Sequence, residues 1–551
     1  MTKKITDLSA KEAKAFLMDK EQYFNSELPQ YFDFSGILSY TATALDGKTI
    51  DQCVTAVSPE SLDNVNLEIL SNKDGRYGVR PLTITNPFLY TFLVNTLCDD
   101  DAWQRILKCF EAYNVAHIKA CSIPVVRDKD RQESFPQATT ILNWWSNMEQ
   151  TPVELSLRYR YMFVSDISNC FGQVNPESID WALSRKGTDA ATDDNHDLAH
   201  NIMRLLKALQ GGRNIGIPQG SMVFSFIAEI ILGYADMLLA QAIEKAGITE
   251  DYTVLRYVDD YRIFCNNRDT LEDISYLLQH VLETLNFRMN VSKTRISDDI
   301  VGDALKPDKA FYIFNTPIFN KKGWDFDGFC KHLYFIFQFA RKFPNSGQAK
   351  VQLKKFYERF EKFHEVDNDI AVADNNAKTD SSTSAKRHKK RQPKVLEKLA
   401  PMIAIATQIA SDNVAIAQSA LSVVSLILSK IDNEDEKEQL IRLVYEKLRG
   451  KPNSALLEVW LQNITYQAWI PNVYKYDMPL CRMVYHEDVT LWNNEWIDPA
   501  IANGLPCDTI CDYQALNESN RIIPISDILQ YDDIPDELFD EGDSHSDGYN
   551  D

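Results

Sequence analysis

Apolar residues follow two different spacings along this chain. Between about residues 150 and 300, short apolar runs typical of strands alternate with stretches whose apolar residues recur every three or four positions, as in helices. Beyond about residue 395 only the helical spacing remains, and one such stripe is formed by Val414, Ala417, Leu421, Val424 and Leu428. The pattern predicts an α+β region followed by an all-α region.

The strand-like runs of the central region carry aspartates at their ends. The run YMFVSDI (161–167) predicts a strand that ends at Asp166, and TVLRYV and YRIFC predict a hairpin with Asp259 and Asp260 between its strands. The next helix is predicted to start at Thr270, which forms a capping-box pattern with Asp273.

Composition narrows the class of protein. The 551 residues carry a net charge of −21, which argues against a surface coated in nucleic acid but leaves room for one basic groove. The ten cysteines include no CxxC pair, which favours free thiols in a reducing cytoplasm. The longest apolar stretch contains Glu229 and Asp236, and the N-terminus lacks an apolar signal core. We therefore expect a soluble cytoplasmic protein without a membrane partner.

The adjacent carboxylates of Asp259 and Asp260 need an explanation. Two unit charges about 4 Å apart repel by roughly 4 kcal/mol in a protein-like environment. A divalent cation between them would turn repelling groups into ligands, and Mg²⁺ prefers such oxygen ligands. A two-metal centre needs a third carboxylate, and Asp166 is the candidate, although it lies 93 residues earlier. The alternative is a solvated turn at a hairpin tip.

Four segments, in this order, resemble the palm motifs of reverse transcriptases. They are FVSDISNCF (163–171), GIPQGS (216–221), YVDD (257–260) and LNFRMNVSKT (285–294), and the resemblance covers roughly residues 155–300. It implies a right-hand polymerase fingers-palm fold of the α+β class, followed by an all-α helical-repeat C-terminal domain.

The resemblance and the composition together predict six regions. They are an N-terminal region with the fingers (1–150), the palm (151–310), a post-palm helical region (311–365), a flexible basic linker (366–394), an α-helical repeat-like domain (395–530) and an acidic disordered tail (531–551).

The resemblance also assigns the catalytic residues. It implies that Asp166 and Asp259 bind two Mg²⁺ ions, for which Mn²⁺ is a substitute, with help from Asp260 and the Ile167 carbonyl. Phe171 falls where this family keeps a ring that clashes with a ribose 2′-hydroxyl and so favours dNTPs. A core phenylalanine is the alternative for Phe171.

Further nucleotide-binding residues are implied around the same centre. Gln219, Gly220 and Ser221 would contact the nascent base pair and the template, the alternative being a helix cap alone. Lys293 falls where the family places a lysine near the outgoing pyrophosphate, the alternative being a solvated lysine.

The fingers are harder to recognise. The segment HIKACSIPVVRDKDRQ (117–132) predicts a basic hairpin over the triphosphate, with Lys119 and Arg127 as candidate nucleotide-binding residues. Each of them is equally explained as surface charge. The segment RPLTITNPFLY (80–90) places Arg80 in a context that also resembles this family.

The long helical region points to one branch of the family. The chain shows no zinc cluster, no RNase H constellation and no Val-Thr-Gly motif of retron enzymes. Its layout resembles the bacterial defence-associated, abortive-infection (Abi-like) reverse transcriptases. For some of these the family implies untemplated DNA synthesis primed by a protein hydroxyl, which leaves the DNA product covalently attached. Tyr40 and Tyr474 are two of many candidate primers.

Other functions and partners stay open at this stage. The chain could be a conventional RNA-templated enzyme with an associated noncoding RNA, an RNA polymerase, or an inactive palm that serves as a nucleic-acid-binding module. The basic island KRHKKRQPK (386–394) either binds nucleic acid or keeps the linker solvated. Helical repeats form extended surfaces, which motivates the hypothesis of a homo-oligomer.

Overall fold

A computed structural model gives the architecture of most of the chain. It describes residues 3–72, 78–126, 144, 146–189, 191–315, 326–376, 395–467, 473–519 and 521–525. The predicted acidic tail (531–551) and the basic island (386–394) lie outside the described residues, as does Arg127.

The described strands and helices follow in chain order. The strands are β1 (Lys3–Lys4), β2 (Leu67–Asn72), β3 (Val79–Ile84), β4 (Ile118–Ala120), β5 (Val125–Val126), β6 (Tyr161–Asp166), β7 (Tyr252–Tyr257), β8 (Asp260–Cys265) and β9 (Arg295–Ser297). The α-helices are α1 (Ala10–Leu17), α2 (Lys20–Tyr23), α3 (Ser35–Ala44), α4 (Pro87–Leu97), α5 (Asp100–Tyr113), α6 (Thr151–Leu155), α7 (Cys170–Gln173), α8 (Glu177–Ser184), α9 (His196–Leu209), α10 (Met222–Lys245), α11 (Arg268–Thr284), α12 (Ile300–Ala304), α13 (Pro307–Asn315), α14 (Phe326–Lys342), α15 (Gly347–Asn376), α16 (Val395–Asp412), α17 (Ala417–Ser429), α18 (Glu434–Leu448), α19 (Ala455–Thr465), α20 (Pro479–Val484), α21 (Pro499–Ala502) and α22 (Tyr513–Glu518).

A five-stranded sheet forms the centre of the palm region. Its strand order is β4-β7-β8-β6-β9, with β4 parallel to β7 and the other neighbours antiparallel. The β7–β8 hairpin is the one that the sequence predicts, and β6 pairs with β8 although the two are far apart in sequence. This pairing places Asp166 directly opposite Asp260.

Helix α10 packs against this sheet region as a core helix. Its sequence is apolar on nearly every face, which is typical of a helix buried all round. By length and composition it is the one helix within the described ranges that could span a membrane, but 83% of its most apolar window is buried inside the protein. Its buried apolar residues belong to the larger of the two hydrophobic clusters among the described residues.

The helices on both sides of the predicted linker form one body. Helix α14 packs on α16, and α15 packs on α17. The Asn345 amide donates to the Asn413 side chain at 2.8 Å, and the Ala415 amide donates back to the Asn345 side chain at 3.1 Å. Helix α15 also continues to Asn376 and so includes the first eleven residues of the predicted linker. The change in composition therefore does not separate two structural units.

The C-terminal segment beyond α19 returns to the fingers. The Trp492 indole donates to the Ile84 carbonyl at 3.0 Å, and the Asn86 side-chain amide donates to the Asn494 side-chain oxygen at 2.8 Å. This segment carries short helices within an otherwise irregular backbone. It covers the base of the β2–β3 hairpin, and the repeat-like organisation expected for residues 395–530 stays a prediction.

One helix start differs from the prediction. Helix α11 begins at Arg268 and not at Thr270, because the Asn267 side chain accepts from the Asp269 and Thr270 amides at 2.9 and 3.4 Å. Asparagine is as good an N-cap as aspartate or serine, so the earlier cap prevails over the capping-box pattern.

Candidate active site

Three aspartates meet at the end of the central sheet. Asp166 is the last residue of β6, Asp260 is the first residue of β8, and Asp259 lies in the turn between β7 and β8. The Ile167 amide donates to the Asp259 carbonyl at 2.9 Å, which joins the two strand ends directly. The predicted ligands Asp166, Ile167, Asp259 and Asp260 are therefore brought together by backbone pairing.

The turn that carries Asp259 is strained. Strand β7 ends at Tyr257, which pairs with Asp260, so Val258 and Asp259 form a two-residue turn. Val258 has a φ of +52°, a conformation that β-branched residues rarely adopt. Such a residue costs about 1–3 kcal/mol and persists only when its surroundings hold it, a pattern that is common at functional sites.

Burial and mutual repulsion disfavour ionised carboxylates here. Burial raises the pKa of Asp259 to about 6, and the charges of Asp260 and Asp166 add to this shift. Burial likewise raises the pKa of Asp260, which the Lys306 ammonium partly opposes. Carboxylates in this state gain when cations bind beside them.

Asp166 is satisfied on one side only. The Lys293 ammonium donates to its Oδ2 at 2.6 Å, while its Oδ1 is buried without a hydrogen-bond partner. The Lys293 side chain is 55% exposed, so it can leave without disturbing the core. The Lys293 ammonium therefore offsets part of the negative charge of the three carboxylates.

The donor set fits Mg²⁺, which takes hard oxygen ligands from one or two carboxylates plus substrate phosphates. The unpartnered Asp166 oxygen and the raised pKa of Asp259 both favour a cation at this place. As the side chains stand, no group of three or more His, Cys, Asp or Glu within the described ranges has metal-binding spacing. An ammonium, and not a third carboxylate, lies against Asp166.

A cavity of about 420 Å³ opens in front of the turn. Its walls come from the fingers, from the palm motifs and from the loop before α10. They include the predicted site residues Phe171, Gln219, Gly220, Asp259 and Asp260, together with Asn25, Ser26, Arg80, Leu82, Trp144, Asn169, Cys170, Ser225, Tyr257 and Val258. The volume is typical of a pocket for a small molecule.

The loop before α10 is fixed by the fingers. The Thr83 amide donates to the Gln219 carbonyl at 2.7 Å, and the Asn25 amide donates to the Gly220 carbonyl at 2.8 Å. Gly220 has a φ of +115°, and a Cβ there would lie 3.2 Å from the Phe24 ring. Glycine is therefore required on both counts. Ser221 precedes α10, but its side chain makes no capping hydrogen bond.

Phe171 is tied to the same loop. Its carbonyl accepts from the Ile217 amide at 2.9 Å, and its half-buried ring lines the cavity. The ring packs against the core without being enclosed by it. This placement is consistent with the steric role implied by the sequence resemblance.

Lys119 lies elsewhere. It lines a separate cavity of about 570 Å³, which Arg256 also lines. The segment predicted to be a basic fingers hairpin is not one in its described part. Ile118–Ala120 joins the palm sheet beside β7, and Val125–Val126 pairs with Lys3–Lys4. The reason is that the buried Ile118 fits a parallel palm strand. Nucleotide binding by Lys119 stays a prediction.

The sequence predicted a nucleotide-binding cation at Lys119, but the basic residue that lines the cavity of the aspartates is Arg80. It lies on β3 of the fingers hairpin, exposed, and lines the cavity of Asp259 and Asp260. Its position in RPLTITNPFLY was the available signal. The Lys306 ammonium lies 4.0 Å from the ring centroid of Trp144, which also lines this cavity. The sequence did not single out Trp144 or Lys306, because no local pattern marks either residue.

Comparison with known proteins gives one family match. Residues 103–325 match the family described as reverse transcriptase (RNA-dependent DNA polymerase). A search of curated proteins finds no match for the chain.

Solved telomerase structures show a weak likeness. A truncated apo telomerase from Candida tropicalis has 14% identity and a TM-score of 0.26, covering 47% of this chain and 53% of its own. The apo telomerase of the same organism has 13% identity and a TM-score of 0.29, covering 73% and 72%. A Candida albicans telomerase in complex with a fragment of telomeric RNA has 11% identity and a TM-score of 0.29, covering 77% and 69%. This chain thus spans about half the length of the first of these structures. TM-scores this low do not establish a shared fold.

The family match spans the fingers-side helix α5, the central sheet and the three aspartates. It covers the four palm motifs quoted above and supports the predicted fingers-palm fold, although not the subfamily. Residues 103–325 are therefore similar to the reverse transcriptase (RNA-dependent DNA polymerase) family over less than half of the chain.

Proposed function

We propose that this chain is a DNA polymerase of the reverse transcriptase type that transfers dNTPs with the help of two divalent ions. The observation that carries the proposal is the meeting of Asp259 and Asp260 with Arg80, Phe171 and Gly220 around one cavity. One wall is acidic and suits metal-bound phosphates. The lining also includes the Arg80 guanidinium, a group that pairs well with phosphate oxygens.

Each group has a role in the transfer. A hydroxyl loses its proton to water and its oxygen attacks the α-phosphorus of the dNTP, the α–β phosphoanhydride bond breaks, and pyrophosphate leaves. Mg²⁺ held by Asp166, Asp259, Asp260 and the Ile167 carbonyl would stabilise the charge on the reacting phosphate. Arg80 binds the triphosphate, and Lys293, whose side chain is exposed, donates a proton to the leaving pyrophosphate.

We assign the discrimination between dNTPs and rNTPs to Phe171. Its ring forms part of the cavity wall beside the backbone of the loop before α10. A ribose 2′-hydroxyl would meet this ring, whereas a deoxyribose would not. Phe171→Ala is expected to raise rNTP incorporation relative to dNTP by about tenfold or more. Single-nucleotide kinetics measures this ratio, and Tyr276→Ala, which removes an exposed ring elsewhere, should leave it unchanged.

The finer proposal is a role in antiphage defence with protein-primed, untemplated synthesis. It is supported by the sequence layout of the abortive-infection subgroup and by the long helical region packed behind the fingers. Both named candidate primers are engaged: the Tyr40 hydroxyl donates to the Ile501 carbonyl at 2.6 Å, and Tyr474 is buried against Tyr445. Priming by either would require local opening.

The alternative is a conventional RNA-templated enzyme that uses an associated noncoding RNA. One experiment separates the two. The purified chain is incubated with each labelled dNTP and Mg²⁺, without template or primer, beside Asp259→Ala, and products are resolved with and without protease. Label that stays on the protein until proteolysis, and is lost in the variant, supports protein priming. Incorporation only after RNA or a primer–template is added supports the alternative.

Failure of both would overturn the polymerase proposal. If the wild-type chain incorporates no nucleotide with Mg²⁺ or Mn²⁺ under any primer and template condition, yet binds nucleic acid, the palm acts as a binding module. Exposed Asp298→Ala is the matched control for Asp259→Ala, since it also removes one carboxylate from the same domain.

A further inference from the structure

A closed network of buried polar groups lies directly behind the turn of Asp259. The Arg256 guanidinium is fully buried, and so are its two carboxylate partners, which are 1% and 2% exposed. It donates to Glu229 at 3.2 Å and to Asp236 at 2.8 Å. Burying three charges is costly unless each is paired and hydrogen-bonded, as these are.

Ser122 connects this network to the turn. Its hydroxyl donates to Glu229 Oε1 at 2.6 Å and accepts from Arg256 Nη1 at 3.3 Å. It also accepts from the Val258 backbone amide at 2.8 Å. A serine hydroxyl has one hydrogen to donate and two lone pairs, so all its bonding capacity is used.

The bond to Val258 holds the residue whose backbone is strained. Val258 is the first residue of the two-residue turn and has a φ of +52°. Its amide hydrogen would otherwise have no partner in the β7–β8 ladder, because the pairing ends at Tyr257 and Asp260. A strained conformation persists when its surroundings determine it, and the Ser122 hydroxyl is a fixed acceptor for this purpose.

The network also joins two parts of the site. Glu229 lies on α10, eight residues after Ser221, which is about 12 Å along a helix. Arg256 lies on β7, three residues before Asp259. The loop before α10 and the turn of the aspartates are thus fixed to each other through buried side chains that do not line the cavity of the aspartates.

We propose that Ser122, held by Glu229 and Arg256, is a positioning residue that keeps the Val258–Asp259 turn in the geometry required for nucleotidyl transfer. This inference deepens the proposed function and rests on it for its kinetic part. Ser122 acts through Val258 and does not touch the reacting atoms. Its function is to hold Asp259 against Asp166 before metal and nucleotide arrive.

The test compares Ser122→Ala with Ser122→Thr, which restores a hydroxyl, in the full chain. Ser275→Ala is the matched control, because it removes a half-buried palm serine whose hydroxyl bonds only a helix carbonyl at 2.7 Å. For Ser122→Ala, kcat is expected to fall about tenfold while KM for dNTP changes by less than about twofold, the pattern of lost preorganisation. Ser122→Thr should recover most of kcat and most of the melting temperature, which Ser122→Ala should lower more than Ser275→Ala does because the Val258 amide loses its acceptor.

Two readouts do not need activity. Hydrogen exchange of peptides that contain residues 252–265 should be faster in Ser122→Ala without metal, and Mn²⁺ should bind more weakly by calorimetry. Unchanged exchange and unchanged Mn²⁺ binding in Ser122→Ala would overturn the positioning role, as would a fall in kcat that Ser275→Ala reproduces. If the wild-type chain proves inactive, the polymerase proposal fails, while the exchange result still decides whether Ser122 holds the turn.

Discussion

Two groups of carboxylates lie on opposite sides of the β7–β8 hairpin, and they differ in how their negative charge is neutralised. Behind it, Glu229 and Asp236 are sealed from water and matched by the Arg256 guanidinium. In front, Asp259 and Asp260 line an open cavity, and the Lys293 cation beside them on Asp166 is half-exposed. The rear group is satisfied by the protein itself. The front group is left to be satisfied by cations from solvent, which is what a catalytic centre requires.

The largest effect is expected from a substitution in the front group, at Asp259. Asp259→Asn should lower dNTP incorporation by about three orders of magnitude, because a ligand for the charge-stabilising ions is lost. The same change should raise the free energy of unfolding without metal by about 1 kcal/mol, since it removes repulsion with Asp260. Incorporation assays and urea unfolding measure the two effects. Loss of both activity and stability would contradict the comparison.

Breaking the rear group should have the opposite effect on stability. Arg256→Met leaves two buried carboxylates without their cation and should lower the free energy of unfolding by about 3–5 kcal/mol. Urea unfolding measures this, with Arg268→Met as control. Arg268 forms an exposed pair with Glu272, and its loss should cost less than about 1 kcal/mol. Equal losses of unfolding free energy in the two variants would show that breaking the buried Arg256 network costs no more than breaking a surface ion pair.

The pH dependence of stability sharpens the contrast further. The pKa of Asp259 is raised from 3.8 to about 6 in the folded chain. Between these values the folded state binds more protons than the unfolded state, so stability is lost as the pH rises from about 4 to 6. Asp259 should therefore make the metal-free protein less stable at pH 7 than at pH 5, by on the order of 1–2 kcal/mol.

Unfolding in chelator at both pH values measures this difference. Asp259→Asn should reduce it, while Asp298→Asn should retain it in full. An unreduced difference in Asp259→Asn would mean that other groups carry the pH dependence.

The smallest expected effect concerns the exchangeable cation. Lys293→Met removes the ammonium that competes for Asp166, so Mn²⁺ should bind about two- to fivefold more tightly, as expected for a partly exposed ion pair. Turnover should fall nonetheless, because the proton donor to pyrophosphate is lost. Calorimetry and steady-state kinetics test the pair of effects, with the exposed Lys245→Met as control. Weaker Mn²⁺ binding would mean that Lys293 supports the site and does not occupy it.

The aspartates were predictable because their signals are local. Asp166 ends an apolar run, and Asp259 and Asp260 separate two others, so each strand end could be recognised from its own neighbours. Sequence patterns alone could not give the register that places Asp166 opposite Asp260, since β6 and β8 are joined by long-range pairing. The order of motifs supplied that information indirectly.

The fingers were less predictable for the same physical reason. A cluster of cations around Lys119 predicted a hairpin, but strand β4 pairs with β7, whose residues lie more than 130 positions later. Arg80, on a strand with no unusual charge density, faces the cavity instead. Which basic residue lies near the carboxylates depends on which strands pair, and local charge does not report this.

The rear network escaped sequence interpretation altogether. Glu229 and Asp236 were read only as residues that make a membrane span unfavourable. Their partner Arg256 lies on a different element, and Ser122 on a third. Only the folded chain shows that these four residues satisfy one another.

The return of the C-terminal segment to the fingers has a consequence for synthesis of the chain. Trp492 bonds to Ile84 across 408 residues of sequence. At about 5–20 residues per second, a ribosome needs roughly 20–80 seconds to make that interval. The palm is made within this interval, while the base of the fingers hairpin is still uncovered. The hairpin whose Arg80 and Leu82 line the candidate site is thus covered only after the palm residues have been made.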